Sequence, residues 1–244
     1  MNMLLLEPGE SGVLLPRSDR RWEHLRKTLK KRPGDRVTAG IVDGAVGSAL
    51  LRRIDDEGFL VEFEADRDPP PLAPIALVLG FPRPIQAGRI LRDLASLGVA
   101  RIELTSTELG EKSYRQSDLF LKGEFRRHLM EGAEQSCNPR LPVVRTHWSL
   151  RRCLETLGET DFGGAGGSRI MLHPYGETAR MGMLSELTPP VILAVGSERG
   201  WTEGEIGLLA SRGFTPARLG AAILRTETAA LSAVVLALAR LGLM

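Results

Sequence analysis

A cysteine pair, an apolar run of membrane length and a nucleotide-type glycine loop are all missing from this chain of 244 residues. Its two cysteines, Cys137 and Cys153, form no C-x-x-C motif. A disulfide-built scaffold is therefore not expected, nor a zinc site with four clustered ligands, and a reducing cytoplasm is the natural setting. No metal is called for. The opening "MNMLLLEPGESG" lacks the basic start and small-residue cleavage site of a secretory signal. The closing "AALSAVVLALARLGLM" is shorter than the roughly 20 apolar residues a membrane span needs, and it carries Arg240. It reads as a buried or subunit-contacting helix with no membrane partner. Glycines at 196, 200 and 204 match neither G-x-G-x-x-G nor G-x-x-x-x-G-K-[ST], so a cradled nucleotide phosphate is not the first expectation. Aromatic residues are few, at 5%.

What is present is ordinary globular material, 43% hydrophobic and 25% charged, enough for one large domain or a small one joined to another. The net charge of +2 conceals an uneven distribution. Between Arg17 and Arg36 there are nine basic residues against three acids. Residues 55 to 68 reverse that sign. From 71 to 152 basic residues again outnumber acids, 13 to 8, and from 153 onward acids lead 9 to 7. A polyanion such as RNA is thus a plausible partner for the front and middle of the protein.

"DRDPPPLAP" at 66 to 74 marks a linker, because consecutive prolines continue neither a helix nor a central strand. Before it, "DRVTAGIVD", "GSALLRRI" and "GFLVEFEA" alternate with Gly- and Asp-containing turns, the pattern of a small β-barrel over residues 1–70. Within that stretch "RRWEHLRKTLKK" has helical spacing, with Trp22, Leu25 and Leu29 on one face. Over 71–244 strand and helix alternate. "IALVLG", "RIELTST", "RIMLHP", "VILAVG" and "PARLG" read as strands, and "QAGRILRDLASLG", "SLRRCLETLG", "EGEIGLLASRG" and "TETAALSAVVLALARLG" as helices. A single long helix is expected over "SDLFLKGEFRRHLMEGAEQS". This predicts an α/β domain with a largely parallel sheet.

Three segments near strand ends, "MLHPYG", "AVGSERGW" and "RLGAAILRTETAAL", are expected to converge on one crevice, as strand ends do in a parallel sheet. Gly220 permits a tight turn there, "TETA" reads as a helix cap, and Arg225 places a cation at the mouth. The competing reading pairs Arg225 with Glu227 or Glu198 as a structural bridge. His24, His128 and His147 are scattered and read as surface or core residues, whereas His173 falls in the crevice.

"AVGSERGWTEGEI" followed by "LGAAILRTETAAL" resembles the paired late motifs of the RsmE family, the ribosomal RNA uridine N3-methyltransferases of the SPOUT superfamily. "HLRKTLKKRPGDRVTAGIVDG", "SLGVARIELTSTE" and "EGAEQS" resemble earlier family segments, so the similarity spans nearly the whole chain. It implies a PUA-like RNA-binding β-barrel followed by a methyltransferase domain with a C-terminal trefoil knot. It further implies a homodimer acting with S-adenosyl-L-methionine on 16S RNA of the small ribosomal subunit. The cofactor residues it implies are Leu172, His173, Val195, Gly196, Gly200, Leu219, Gly220, Ile223, Leu224 and Thr226, with Arg225 and Glu198 in catalytic roles. For RNA it points to Arg26, Lys27, Lys30, Lys31, Arg83, Arg115 and Arg140. There are departures: Arg199 replaces a glycine, and family cations are missing at Gln86, Leu109, Asn138 and Ala222. A ribose 2′-O-methyltransferase of the same superfamily usually ends in Ser-Leu-Asn-Val, which "LRTETA" does not match. A non-catalytic RNA-binding or ribosome-assembly protein retaining the fold is the other alternative.

Overall fold

Short apolar segments separated by tight turns before Pro69–Pro71, and longer alternating elements after them, give two packing regimes. The computed structural model, which describes residues 2–164, 166–176, 178–184 and 186–244, divides accordingly into two units. One is Met1–Pro71 together with Met130–Leu141, and the other is Leu72–Leu129 together with Pro142–Met244.

In the first unit, strands β1 (Leu4–Leu6), β2 (Leu14–Pro16), β3 (Arg36–Ile41), β4 (Val46–Ile54) and β5 (Gly58–Arg67) lie in the order β1-β3-β4-β5-β2. The last three form an antiparallel meander, and β1 runs parallel to β3. The sheet is open among the described residues, since β1 and β2 at its two ends are not paired with each other, where the sequence suggested a barrel. Leu4, Leu6, Leu51, Phe59 and Val61 fill one core with Trp22 and Leu25. The latter two come from α1 (Arg20–Glu23), capped by the Asp19 carboxylate, and from the π-helical turn His24–Thr28 that continues it. Leu29 does not share their face. It is 42% exposed, because the helical run stops at Thr28 and Lys30 turns the chain with φ of 51°.

The Met130–Leu141 segment belongs to this unit, although the sequence grouped it with the residues that follow the linker. Ala133 packs with Met3, Leu5, Val42 and Val46, and the buried Glu134 carboxylate accepts Arg20 Nη1 at 2.9 Å. A second ion cluster forms nearby in sequence. Arg21, nearly buried, bonds to Asp19 and Glu10 and donates from Nη1 to the Leu5 carbonyl at 2.8 Å. Burial pushes the Asp19 and Glu10 carboxyls up, but the Arg21 guanidinium outweighs it and holds both below the usual carboxylate range.

In the second unit seven strands form a wholly parallel sheet: β6 (Ala73–Gly80), β7 (Val99–Thr105), β8 (Val143–His147), β9 (Arg169–Leu172), β10 (Ala179–Arg180), β11 (Val191–Val195) and β12 (Thr215–Arg218). Their order is β10-β12-β9-β11-β6-β7-β8. The central strands β6 and β11 read as continuous apolar runs because helices cover both faces of such a sheet. The helices are α2 (Pro84–Ser96), α3 (Asp118–Leu121), α4 (Phe125–Ser136), α5 (Leu150–Gly158), α6 (Glu203–Ser211) and α7 (Thr226–Arg240). The one long helix expected over residues 117 to 136 is two, α3 and α4, because Gly123 between them adopts φ of 70°. Among the described residues no helix is long and apolar enough to cross a membrane.

Candidate functional site

Strands β12, β9 and β11 are neighbours in the sheet, and the loops leaving their carboxyl ends surround one cavity of about 460 Å³. This is where a parallel sheet opens to a ligand, and the volume lies within the range of small-molecule sites. The loop after β9 contributes Leu172, His173 and Tyr175; its course is fixed by His173 N donating to the Ala217 carbonyl of β12 at 2.9 Å. His173 and Tyr175 meet edge to face, with ring centroids 5.6 Å apart.

The loop after β11 turns tightly on itself. Gly200 N donates to the Ser197 carbonyl at 2.9 Å, with Gly200 at φ of 76°. Two glycines make this close packing possible. A Cβ on Gly196 would stand 2.8 Å from the Gly200 carbonyl carbon, and one on Gly80 at the end of β6 would stand 2.5 Å from Ser197 N. Trp201 then buries itself, and Thr202 caps α6 in a capping box with Glu205. Glu205 Oε1 also accepts Glu108 N at 2.9 Å, tying the loop after β7 to this helix.

The loop after β12 runs from Leu219 to Arg225 and enters α7 through Thr226. "TETA" does not cap the helix. Arg225 occupies the cap position with no side-chain bond to the helix, while Thr226 lies in the first turn and is buried. The leading amides of α7 thus have no side-chain partner at the cavity wall that Thr226 and Ala229 line.

All ten residues assigned to a cofactor in the sequence, Leu172, His173, Val195, Gly196, Gly200, Leu219, Gly220, Ile223, Leu224 and Thr226, line this cavity, as does Glu198. Glu198 Oε1 accepts Arg83 N at 3.3 Å, a loop-positioning contact. Arg225 is exposed and does not line the cavity; it forms no ion pair with Glu227 or Glu198. Sequence reasoning missed Arg199, Trp201, Glu203 and Arg218 as lining residues. Arg199, Trp201 and Arg218 lie within the converging segments without an assigned role; Arg218 reaches the cavity because β12 is seated beside β9, and Glu203 because α6 begins directly after the β11 loop.

The residues assigned to RNA are spread over both units. In the first, Arg26 donates to the Ile54 carbonyl at 3.0 Å and its guanidinium lies 5.8 Å from the Trp22 ring centroid. Lys27 pairs with Glu23, and Lys31 Nζ donates to the Arg36 carbonyl at 3.3 Å. Arg20 and Arg21 of the same basic run are held internally, so the exposed positive charge there is smaller than the residue count suggests. Arg140 also belongs to the first unit, within Met130–Leu141. Arg83 and Arg115 belong to the second unit; Arg83 Nε donates to the Tyr114 hydroxyl at 3.2 Å.

A buried polar cluster lies elsewhere in the second unit. Glu103 on β7 is fully buried, with Arg101 Nε on one carboxylate oxygen and His147 Nε2 2.5 Å from the other. Cys153 completes a trio with Glu103 and His147 whose ligating atoms lie within 4.8 Å of one another. Both carboxylate oxygens are already engaged, and burial pushes the Cys153 thiol well up, keeping it protonated. The arrangement is a structural ion network.

Residues 68–238 match the RNA methyltransferase domain family. The chain is 36% identical to a ribosomal RNA small subunit methyltransferase E of Treponema pallidum, over 98% of this chain and 91% of that one. It is 30% identical to ribosomal RNA small subunit methyltransferase E 1 of Borreliella burgdorferi, over 99% of each. The fold matches that of a Neisseria gonorrhoeae ribosomal RNA small subunit methyltransferase E bound to S-adenosyl methionine, with a TM-score of 0.74 at 23% identity over 98% and 97% of the two chains. It also matches a methyltransferase of Legionella pneumophila in complex with the same cofactor, with a TM-score of 0.76 at 24% identity and the same coverage. By these matches the chain belongs to the RNA methyltransferase domain family, within it to the ribosomal RNA small subunit methyltransferase E proteins.

Proposed function

We propose that the cavity binds S-adenosyl-L-methionine and that the chain methylates N3 of a uridine in the 16S RNA of the small ribosomal subunit. The observation that carries this reading is the meeting of the three motif loops at the ends of β12, β9 and β11 around one cavity. The names of the relatives, and the cofactor bound in two structures of the same fold, support it. The residues present fit such a ligand. Leu172, Ile223 and Leu224 offer apolar walls to an adenine ring, and the peptide groups near Gly196 and Leu219 offer donors and acceptors to its edge. The close Gly196 to Gly200 contact keeps that backbone accessible.

When bound, the cofactor supplies an electrophilic methyl group on a sulfonium. The chain's own work is to hold uracil N3 in line with that group and to exclude water, which accounts for most of the expected acceleration. Arg225 stands exposed at the start of α7, just outside the cavity lining, and in this reading its guanidinium swings to offset the negative charge the uracil gains as its N3 proton leaves. Glu198 orients the β11 loop through Arg83 N.

The same reading takes the first unit as a PUA-like RNA-binding domain and the last strands as a trefoil knot. It takes the protein as a cytoplasmic homodimer. Support for a second copy comes from Met183, Leu243 and Met244, which are 76%, 54% and 68% exposed, with Arg240 of α7 donating to the Gly182 carbonyl beside them.

The test combines calorimetry with S-adenosylmethionine and methyl transfer to unmodified small subunits, followed by nucleoside mass spectrometry. Binding and 3-methyluridine are expected. No binding, or a ribose 2′-O-methyl product, overturns the reading. Arg225→Ala is expected to lower the transfer rate about a hundredfold with cofactor affinity nearly unchanged.

A further inference from the structure

Trp148 exposes 67% of its surface, while Trp22 and Trp201 expose 5% and 7%. An indole is among the largest apolar groups a fold can bury, so one left in water and held rigidly from below needs a reason. Trp148 follows directly on His147, the last residue of β8, and is followed by Ser149, the cap of α5. His147 is pinned through the buried Glu103 to Arg101, and Leu150 and Cys153 are buried on the other side of the turn. The indole is therefore mounted on a fixed base.

That base lies on the same edge of the sheet as the cavity, since every strand is parallel and both are at carboxyl ends. Backbone bonds step along this edge: Phe81 N to the Thr105 carbonyl at 3.0 Å, then Ser106 N to the His147 carbonyl at 3.1 Å. From β11 at the cavity to β8 is three strand positions, or about 14 Å at the usual strand spacing. The intervening surface carries Arg83, bonded to Glu198 at the cavity rim and to Tyr114 in the loop after β7, and the exposed Lys112 and Arg115. Glu111 is exposed there too, while the Glu108 carboxylate accepts the Thr202 hydroxyl at 2.8 Å. Around Trp148, residues 142 to 154 contain three arginines and no acid. Arg145 and Arg151 are exposed without an ion pair, and Arg152 pairs with Glu155 at 3.5 Å.

We propose that this edge of the sheet guides a single-stranded stretch of the RNA substrate away from the cavity, and that a base a few nucleotides from the modified one stacks on the Trp148 indole. This rests on the methyltransferase reading. Exposed aromatics flanked by unpaired arginines suit RNA, whose bases stack on the ring while its phosphates meet the guanidinium groups. A protein partner would instead be expected to bring acidic side chains to the same arginines.

The test uses the full chain saturated with S-adenosylmethionine, so that the emission of Trp201 at the cavity is constant. Titration with a short single-stranded RNA of mixed sequence should quench the remaining tryptophan fluorescence, and the quench should be lost in Trp148→Ala. That variant should bind the RNA about tenfold more weakly than the parent and show a KM for the small subunit about tenfold higher, with cofactor affinity unchanged and Trp148→Phe recovering part of the loss. RNA affinity and KM equal to the parent's in Trp148→Ala overturn the proposal. So does a Trp148→Ala variant altered only in its oligomeric state by sedimentation, which would make the surface a contact between copies. RNA binding is read independently of methyl transfer: a parent that binds RNA through Trp148 but transfers no methyl group overturns the proposed reaction, and leaves the stacking surface standing.

Discussion

At the scale of single residues the cavity depends on side chains that are missing. Gly196 and Gly80 each face backbone rather than space, so a substituent there must displace the β11 loop itself. Gly196→Val is accordingly expected to lower S-adenosylmethionine affinity more than tenfold and to lower the thermal midpoint by several degrees, the cost of overpacking against backbone being about 1–3 kcal/mol. Calorimetry and a thermal melt of the same sample check both effects. An unchanged affinity would place the ligand elsewhere. Gly196 is legible in the sequence as part of a loop and Gly80 only as the end of a strand, but the reason for either glycine is not: the atoms they avoid belong to Gly200 and Ser197, whose positions follow from the turn and from the pairing of β6 with β11. Arg225 shows the converse. The bridge to Glu227 or Glu198 that competed with a functional role for Arg225 does not form, although Glu227 lies only two residues away in the chain.

At the scale of elements, α1 is too short to be stable by itself, and its attachment is electrostatic as well as apolar. Arg21 is enclosed by Asp19 and Glu10 while Trp22 points into the core. Because both carboxyls are held below their ordinary values, the stability they contribute is present above about pH 4.5 and is lost as the pH falls through their folded-state values. Acid titration followed by the fluorescence of a Trp148→Phe, Trp201→Phe background, in which Trp22 is the remaining tryptophan, should show this loss. Arg21→Ala should already be destabilised at pH 7 by about 3–5 kcal/mol, since it leaves two partly buried carboxylates without their partner, and its acid dependence should be shallower. An acid profile identical to the parent's would remove the cluster from the account. Elements with strong apolar runs or helical spacing, such as β6, β11, α2 and α7, were readable from the sequence because their burial follows their period. β8 was not: "VVRTH" exposes most of its length at the edge of the sheet, so its side chains carry no burial signal. The helical spacing over 117 to 136 runs on across Gly123, whose φ of 70° divides it into α3 and α4, because side-chain period carries no sign of a backbone turn.

At the scale of the whole molecule, the linker at Pro69–Pro71 does not mark the end of the first unit's chain, because Met130–Leu141 returns to it. The proline run was visible in the sequence; the return was not, since "EGAEQS" looks like any helix end until Glu134 meets Arg20. A fragment of residues 1–71 should therefore fail to fold, having lost Ala133 from its core and the buried partner of Arg20. Adding residues 130–141 through a flexible connection should restore a cooperative melt, and circular dichroism of the two fragments compares them directly. A stable 1–71 fragment would show that the returning segment is dispensable.

The sheet order also sets a timetable for synthesis. β6 pairs with β7 on one side as soon as both exist, but its other neighbour, β11, lies about a hundred residues further on. β9 leaves the ribosome before β11 and yet must wait for it, being seated on its far side. At about 5–20 residues per second, one fully apolar edge stays unpaired for roughly 5–20 s, long enough to recruit holdase chaperones or to aggregate. Slowing elongation over residues 81 to 190 should thus reduce the yield of folded chain, while slowing it after Val195 should not.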